Sequence, residues 1–118
     1  MWTLQPTDVF DRRLRRYSKR YPAATIAVLD NLDRYFNALP VSKLRDLRGG
    51  YIHPEPAGVV ALDQSGAARK QREMRIYVYP NEKDRILHVI TIGDKNSQEQ
   101  DIKDSSDYVK ELRRRTDG

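Results

Sequence analysis

Apolar positions along this chain follow two periods in turn, and the change from one to the other marks out its elements. Trp2, Leu4 and Pro6 alternate with Thr3 and Gln5, which predicts a short first strand. Thr7 then offers a hydroxyl N-cap for a helix beginning at Asp8. Phe10, Leu14, Tyr17 and Tyr21 recur at helical spacing and form its buried stripe, with arginines on both flanks. Pro22 cannot continue that helix but suits the first turn of another, which sets a boundary near Tyr21. Ile26, Leu29, Leu32, Phe36 and Leu39 predict a second helix over 23–39, ended by Pro40. A turn this tight makes the helices an antiparallel pair, whose common stripe needs a sheet or a third helix to cover it.

The stretch from Val41 to Gly58 contains Gly49, Gly50, Pro54 and Pro56, and is expected to be an extended or turning connector with no ladder of its own. A connection of that length is uncommon unless it has a job. Strands are predicted at GVVALDQ (58–64), EMRIYVY (73–79) and ILHVITIG (86–93), separated by a basic loop, SGAARKQR (65–72), and a turn from Pro80 to Arg85. Short connections make them an antiparallel meander. Ser97 and Gln100 form a capping-box pair for a last helix. Its stripe, Ile102, Ser106, Val109 and Leu112, is narrow, so this helix is expected to be the least firmly held; Arg113, Arg114 and Arg115 at its end complement the helix dipole. The acidic residues of DNLD and DIKDSSD lack the spacing of a calcium loop and read as helix surface. The whole, 1–118, reads as one α+β domain, a helix pair packed on an antiparallel sheet plus a C-terminal helix.

Charge changes this picture more than composition does. The net charge is +5, and all of it lies in residues 1–50, with ten Lys/Arg against five Asp/Glu, because the remainder holds twelve of each. Six of the nine residues Arg12–Arg20 are basic, a field that suits phosphate or an acidic protein segment, or simply a solvated helix face. With no cysteine the chain has no disulfide, thiol nucleophile or cysteine-ligated metal. Its apolar runs fall far short of the roughly 20 residues that span a bilayer, and MWTLQPTDVF has no signal-peptide pattern, so a cytoplasmic protein is expected.

Along the middle strand of the meander Met74, Ile76 and Val78 point one way, toward the helices, and Arg75, Tyr77 and Tyr79 the other, toward solvent. A guanidinium beside two open rings suits single-stranded nucleic acid, although an ordinary half-exposed strand has the same pattern. Pairing Tyr79 with Ile86 sets Tyr77 opposite His88 and Arg75 opposite Ile90, which brings His88 to the arginine face as a proton shuttle; a one-residue slip sends it to the core. His53 has no partner at metal-ligand spacing and reads as a loop residue. No nucleophile elbow, dinucleotide fingerprint, phosphate loop or HExxH motif is present, so any catalysis runs without metal or cofactor on Arg, Lys, Tyr and His.

The element order, together with WTLQPTDVFDRRLRRY, MRIYVY and VITIGDK, resembles the RelE/ParE superfamily of bacterial toxin–antitoxin toxins over nearly the whole chain. The resemblance implies a toxin checked by an acidic antitoxin. Its RelE branch cleaves messenger RNA on the ribosome, and its ParE branch inhibits DNA gyrase by binding. Arg75 takes the place of the strand arginine that holds the scissile phosphate, and Lys95 that of the second basic residue after the glycine of the last strand. The basic residues of the first meander strand are replaced by Ala61, Leu62 and Asp63, with Arg69, Lys70 and Arg72 in the next loop as substitutes, and the late tyrosine position falls near Asp101. Catalytic roles are thus expected for Arg75, Lys95 and His88, RNA contacts for Arg69, Lys70, Arg72, Tyr77 and Tyr79, and antitoxin contacts for Arg12, Arg13, Arg16 and Arg20. A degenerate nucleic-acid or protein-binding module is a further reading.

Overall fold

A computed structural model describes residues 1–64 and 72–117. The elements are β1 (Thr3–Pro6), α1 (Asp8–Arg20), α2 (Pro22–Ala38), β2 (Ile52–Pro54), β3 (Val60–Asp63), β4 (Met74–Asn81), β5 (Ile86–Asp94) and α3 (Gln98–Asp117). The sheet has the order β1-β5-β4-β3-β2. It is mixed rather than antiparallel throughout, because β1 runs parallel to β5. The parallel pairing follows from α1 and α2, whose length of chain carries the polypeptide back across the sheet before the meander begins.

Thr7 behaves as its sequence position predicts. Its hydroxyl oxygen accepts from the Phe10 amide at 3.0 Å and its hydroxyl donates to the Ile90 carbonyl at 2.7 Å, which ties the start of α1 to β5. The stripe expected on α2 is rotated: Ala24, Thr25, Val28, Leu32 and Tyr35 are buried, whereas Ile26 is exposed. The connector is not devoid of pairing either, since Ile52–Pro54 forms an edge strand on β3. A 3-10 turn at Pro56–Gly58 follows, with Ala57 and Gly58 both at positive φ, +63° and +82°.

One face of the sheet, carrying Leu62, Met74, Ile76, Val78, Leu87, Val89 and Ile92, packs under α1 and α2. The other face is not open to solvent. Val59, Ala61, Tyr77 and Ile90 form a second core there with Val109 of α3. Ser106 and Val109 of the expected α3 stripe are buried, but Asp101 and Ser105, outside that stripe, are buried as well. Those serines are small enough to let the helix lie close to the strands. The molecule is therefore three layers, helix pair, sheet and helix, with Arg75, Tyr77 and Tyr79 on the inner side of the third.

The β4–β5 register also differs from the expected one. Tyr79 opposes His88, Tyr77 opposes Thr91 and Arg75 opposes Gly93, with an irregularity after Tyr77. Pro80 and Asn81 continue β4, so the connection is shorter than 80–85, and Arg85 leaves it at φ +55°. The tighter turn moves the pairing two residues along β5 and preserves faces as far as Val78, and the irregularity after Tyr77 adds one more residue, so that Ile92 lies on the same face as Val89.

Candidate functional site

The start of β4, the end of β5 and the last turns of α1 meet at one end of the sheet. Arg72 joins them. Its Nε donates to Asp94 Oδ2 at 2.9 Å, and its guanidinium lies 4.7 Å from the centre of the Tyr21 ring. Tyr21 and Tyr17 are ring neighbours at 6.2 Å, with Arg20 and Arg16 over them at 5.4 and 5.5 Å. Arg16, Arg20 and Arg72 thus form one basic and aromatic strip. Gln64 holds its neck: the side chain accepts from the Met74 amide and donates to the Arg72 carbonyl, each at 2.7 Å. Arg69 and Lys70 lie outside the described residues.

Asp94 turns the chain out of β5. Its carboxylate accepts from the amides of Asn96 and Ser97, and Lys95 stands exposed at the start of that 3-10 turn. Burial alone opposes the Asp94 charge, but the Arg72 hydrogen bond and charge, with the two amides, outweigh it and hold the carboxyl below its ordinary range. Arg75 sits opposite Gly93 on the neighbouring strand, which brings Arg72, Arg75 and Lys95 to the same end of the sheet. Its Nη2 donates to Glu73 Oε1 at 3.3 Å, its Nε is buried without a partner, and 16% of its side chain is exposed.

His88 is not part of this group. It opposes Tyr79, four residues from Arg75 along β4, a separation of about 13 Å at the usual rise of a strand. A proton cannot pass directly over that distance, so the expected shuttle role beside Arg75 does not survive the register. The ring is buried, bonded through Nδ1 to the Tyr108 hydroxyl at 3.2 Å and stacked on Tyr79, with Nε2 unpartnered. Burial lowers its pKa, against a smaller opposing effect of Asp84. The expected pair of open rings is absent too: Tyr77 is fully buried, and Tyr79 lies between His88 and the Arg113 guanidinium. Burial raises the Tyr77 pKa, so its hydroxyl remains protonated.

Arg13 differs from its basic neighbours on α1. It donates at 2.9 Å to both Thr91 Oγ1 and Asp101 Oδ1, so its guanidinium is committed to a structural pair although the side chain is 30% exposed. Asp101, expected on the surface, is 1% exposed and also accepts from Ser97 Oγ at 2.7 Å. It sits directly over Gly93, where an added Cβ would fall 1.9 Å from Oδ2. Arg12 is exposed and makes no ion pair with a described residue. Asp101 was legible only through its spacing of four from Ser105 and eight from Val109, and Glu73 carried no signal at all. His53 pairs with Asp63 at the edge of the sheet, and among the described residues no three acidic or histidine side chains converge as a metal site. No protein-family model and no curated protein matches the chain.

Proposed function

We propose that this protein is the toxin of a type II toxin–antitoxin pair with a RelE/ParE-like fold, checked by an acidic antitoxin, and that it cleaves messenger RNA on the ribosome. The observation that carries the reading is the register of Arg75 opposite Gly93, two residues before Lys95, which puts both residues at the same end of the sheet. A cation on β4 and one in the turn just after β5 can hold one phosphodiester, with Arg72 and the α1 strip tracking the flanking backbone. In the cleavage a ribose 2′-oxygen attacks its own phosphorus, the bond to the 5′-oxygen breaks, and a 2′,3′-cyclic phosphate forms. Arg75 and Lys95 stabilise the added negative charge. Glu73, hydrogen-bonded to Arg75, is the base proposed to take the 2′-hydroxyl proton, and the departing 5′-oxygen takes up a proton from water.

A second reading, non-enzymatic inhibition of gyrase, is favoured by the engagement of Asp101 with Arg13 and by the distance of His88 from Arg75, which leave Glu73 as the acid–base group beside Arg75. Induction in bacteria separates the two. The proposed function requires protein synthesis to stop before any DNA damage is seen; early DNA breaks with continuing translation favour the gyrase reading, and unaffected growth contradicts both.

A further inference from the structure

A groove of about 980 Å³ opens at the other end of the sheet, between the 44–58 connector, the end of β4 and the turn that follows it. It is separate from the site above, because Arg72 and Arg75 stand at the start of β4 and the groove lies at its end, and the inference does not depend on the activity proposed there. Leu44, Leu47, Ile52, Pro54 and Val60 line it with aliphatic surface. Arg45, Arg48, Lys83 and Arg113 stand around them, all exposed, against Glu82 as the acidic residue of the lining. None of the four cations is ion-paired with a described residue. On α3, by contrast, Lys103 meets Asp107 and Arg114 meets Glu111. The backbone is shaped for the opening as well. Gly58, at φ +82°, lies where a Cβ would come within 3.3 Å of both the Arg113 guanidinium and the Tyr79 ring.

We propose that this groove binds an acidic peptide segment of a partner protein, with aliphatic side chains seated on the floor and carboxylates paired to Arg45, Arg48, Lys83 and Arg113. Charge complementarity selects the sign of the partner. The floor selects peptide over nucleic acid. Sites for single-stranded RNA combine cations with open aromatic faces for the bases; here Tyr79 has its ring engaged by His88 and Arg113, and Tyr35 is 2% exposed. Aliphatic floor and cationic rim together fit an amphipathic acidic segment.

The test is fluorescence anisotropy of the intact protein with a labelled peptide of alternating Glu-Glu and Leu-Leu pairs. The expected result is binding that weakens with salt and falls at least about tenfold in the triple variant Arg45→Gln, Arg48→Gln, Lys83→Gln. Arg16→Gln with Arg20→Gln leaves it unchanged. A peptide with every Leu replaced by Ser tests the floor without altering the protein, and is expected to bind at least about tenfold more weakly. Absence of binding, equal affinity for the triple variant, or equal affinity for the Ser peptide would overturn the proposal. So would a triple variant that keeps the peptide but loses a poly-uridine oligonucleotide.

Discussion

Gly93 and His88 show how much single positions decide in this sheet. At Gly93 the absence of a side chain lets Asp101 approach the strand and meet Arg13, so Gly93→Ala must push α3 away or break that pair. The expected cost is about 3 kcal/mol, read as a lowered melting temperature, where an alanine at an open strand position would cost almost nothing. His88 adds a pH dependence of definite sign. Its folded pKa lies below the ordinary value of 6.5, so as pH falls through 6.5 the unfolded chain takes up a proton that the folded one refuses. Stability is therefore full above that pH and declines below it. Thermal melts of the parent and of His88→Asn between pH 7.5 and 5.5 are expected to diverge in slope, the parent losing more; parallel curves would mean that the buried ring does not titrate differently on folding. The positions of Gly93 and Asp101 could not be read from pattern alone, because close approach is a property of two elements that meet only in space.

α1 and the strands of the meander were legible because each carries a strong local signal: a hydroxyl cap at Thr7, a proline boundary at Pro22, and alternation in MRIYVY. α3 was legible as a helix but not as a layer. Its inward face includes Asp101 and Ser105 beside the expected Ser106 and Val109, and a hydrophobic pattern discards those two, so the stripe looked too thin to cover the face bearing Arg75, Tyr77 and Tyr79. The register was lost for a different reason, since a shortened turn and an irregularity after Tyr77 both shift pairing with no local residue signal. The seam under α3 is also incompletely satisfied: Arg75 Nε, Tyr77 OH and Ser105 Oγ are buried without partners. Unpaired polar groups reduce what holds the helix down. Hydrogen exchange is expected to show 98–112 opening before β4 and β5, and Arg13→Ala to speed that opening selectively, at a cost of about 2 kcal/mol from the stranded Asp101 carboxylate. Uniform acceleration over all strands would contradict this local role.

At the scale of the molecule, no helix among the described residues is long and apolar enough to cross a membrane, and two groups of cations stand at opposite ends of one sheet. The Arg72 end combines cations with aromatic rings, and the Arg113 end combines cations with aliphatic surface. RNA affinity is expected to follow the first alone. Charge reversal of Arg16 and Arg20 should weaken binding of a poly-uridine oligonucleotide about tenfold and flatten its salt dependence, without moving Arg13 from its structural pair. An unchanged salt slope would mark the strip as a solvated face. The central claim, that Arg75 and Lys95 hold a scissile phosphate, is tested most directly by adding the purified protein to ribosomes carrying a defined messenger RNA and mapping new ends. Cuts that need the ribosome, leave a 2′,3′-cyclic phosphate and disappear in Arg75→Ala, with Arg75→Lys retaining the parent's melting temperature but little cleavage, are the predicted result. Intact messenger RNA, or equal cutting by Arg75→Ala, would contradict it.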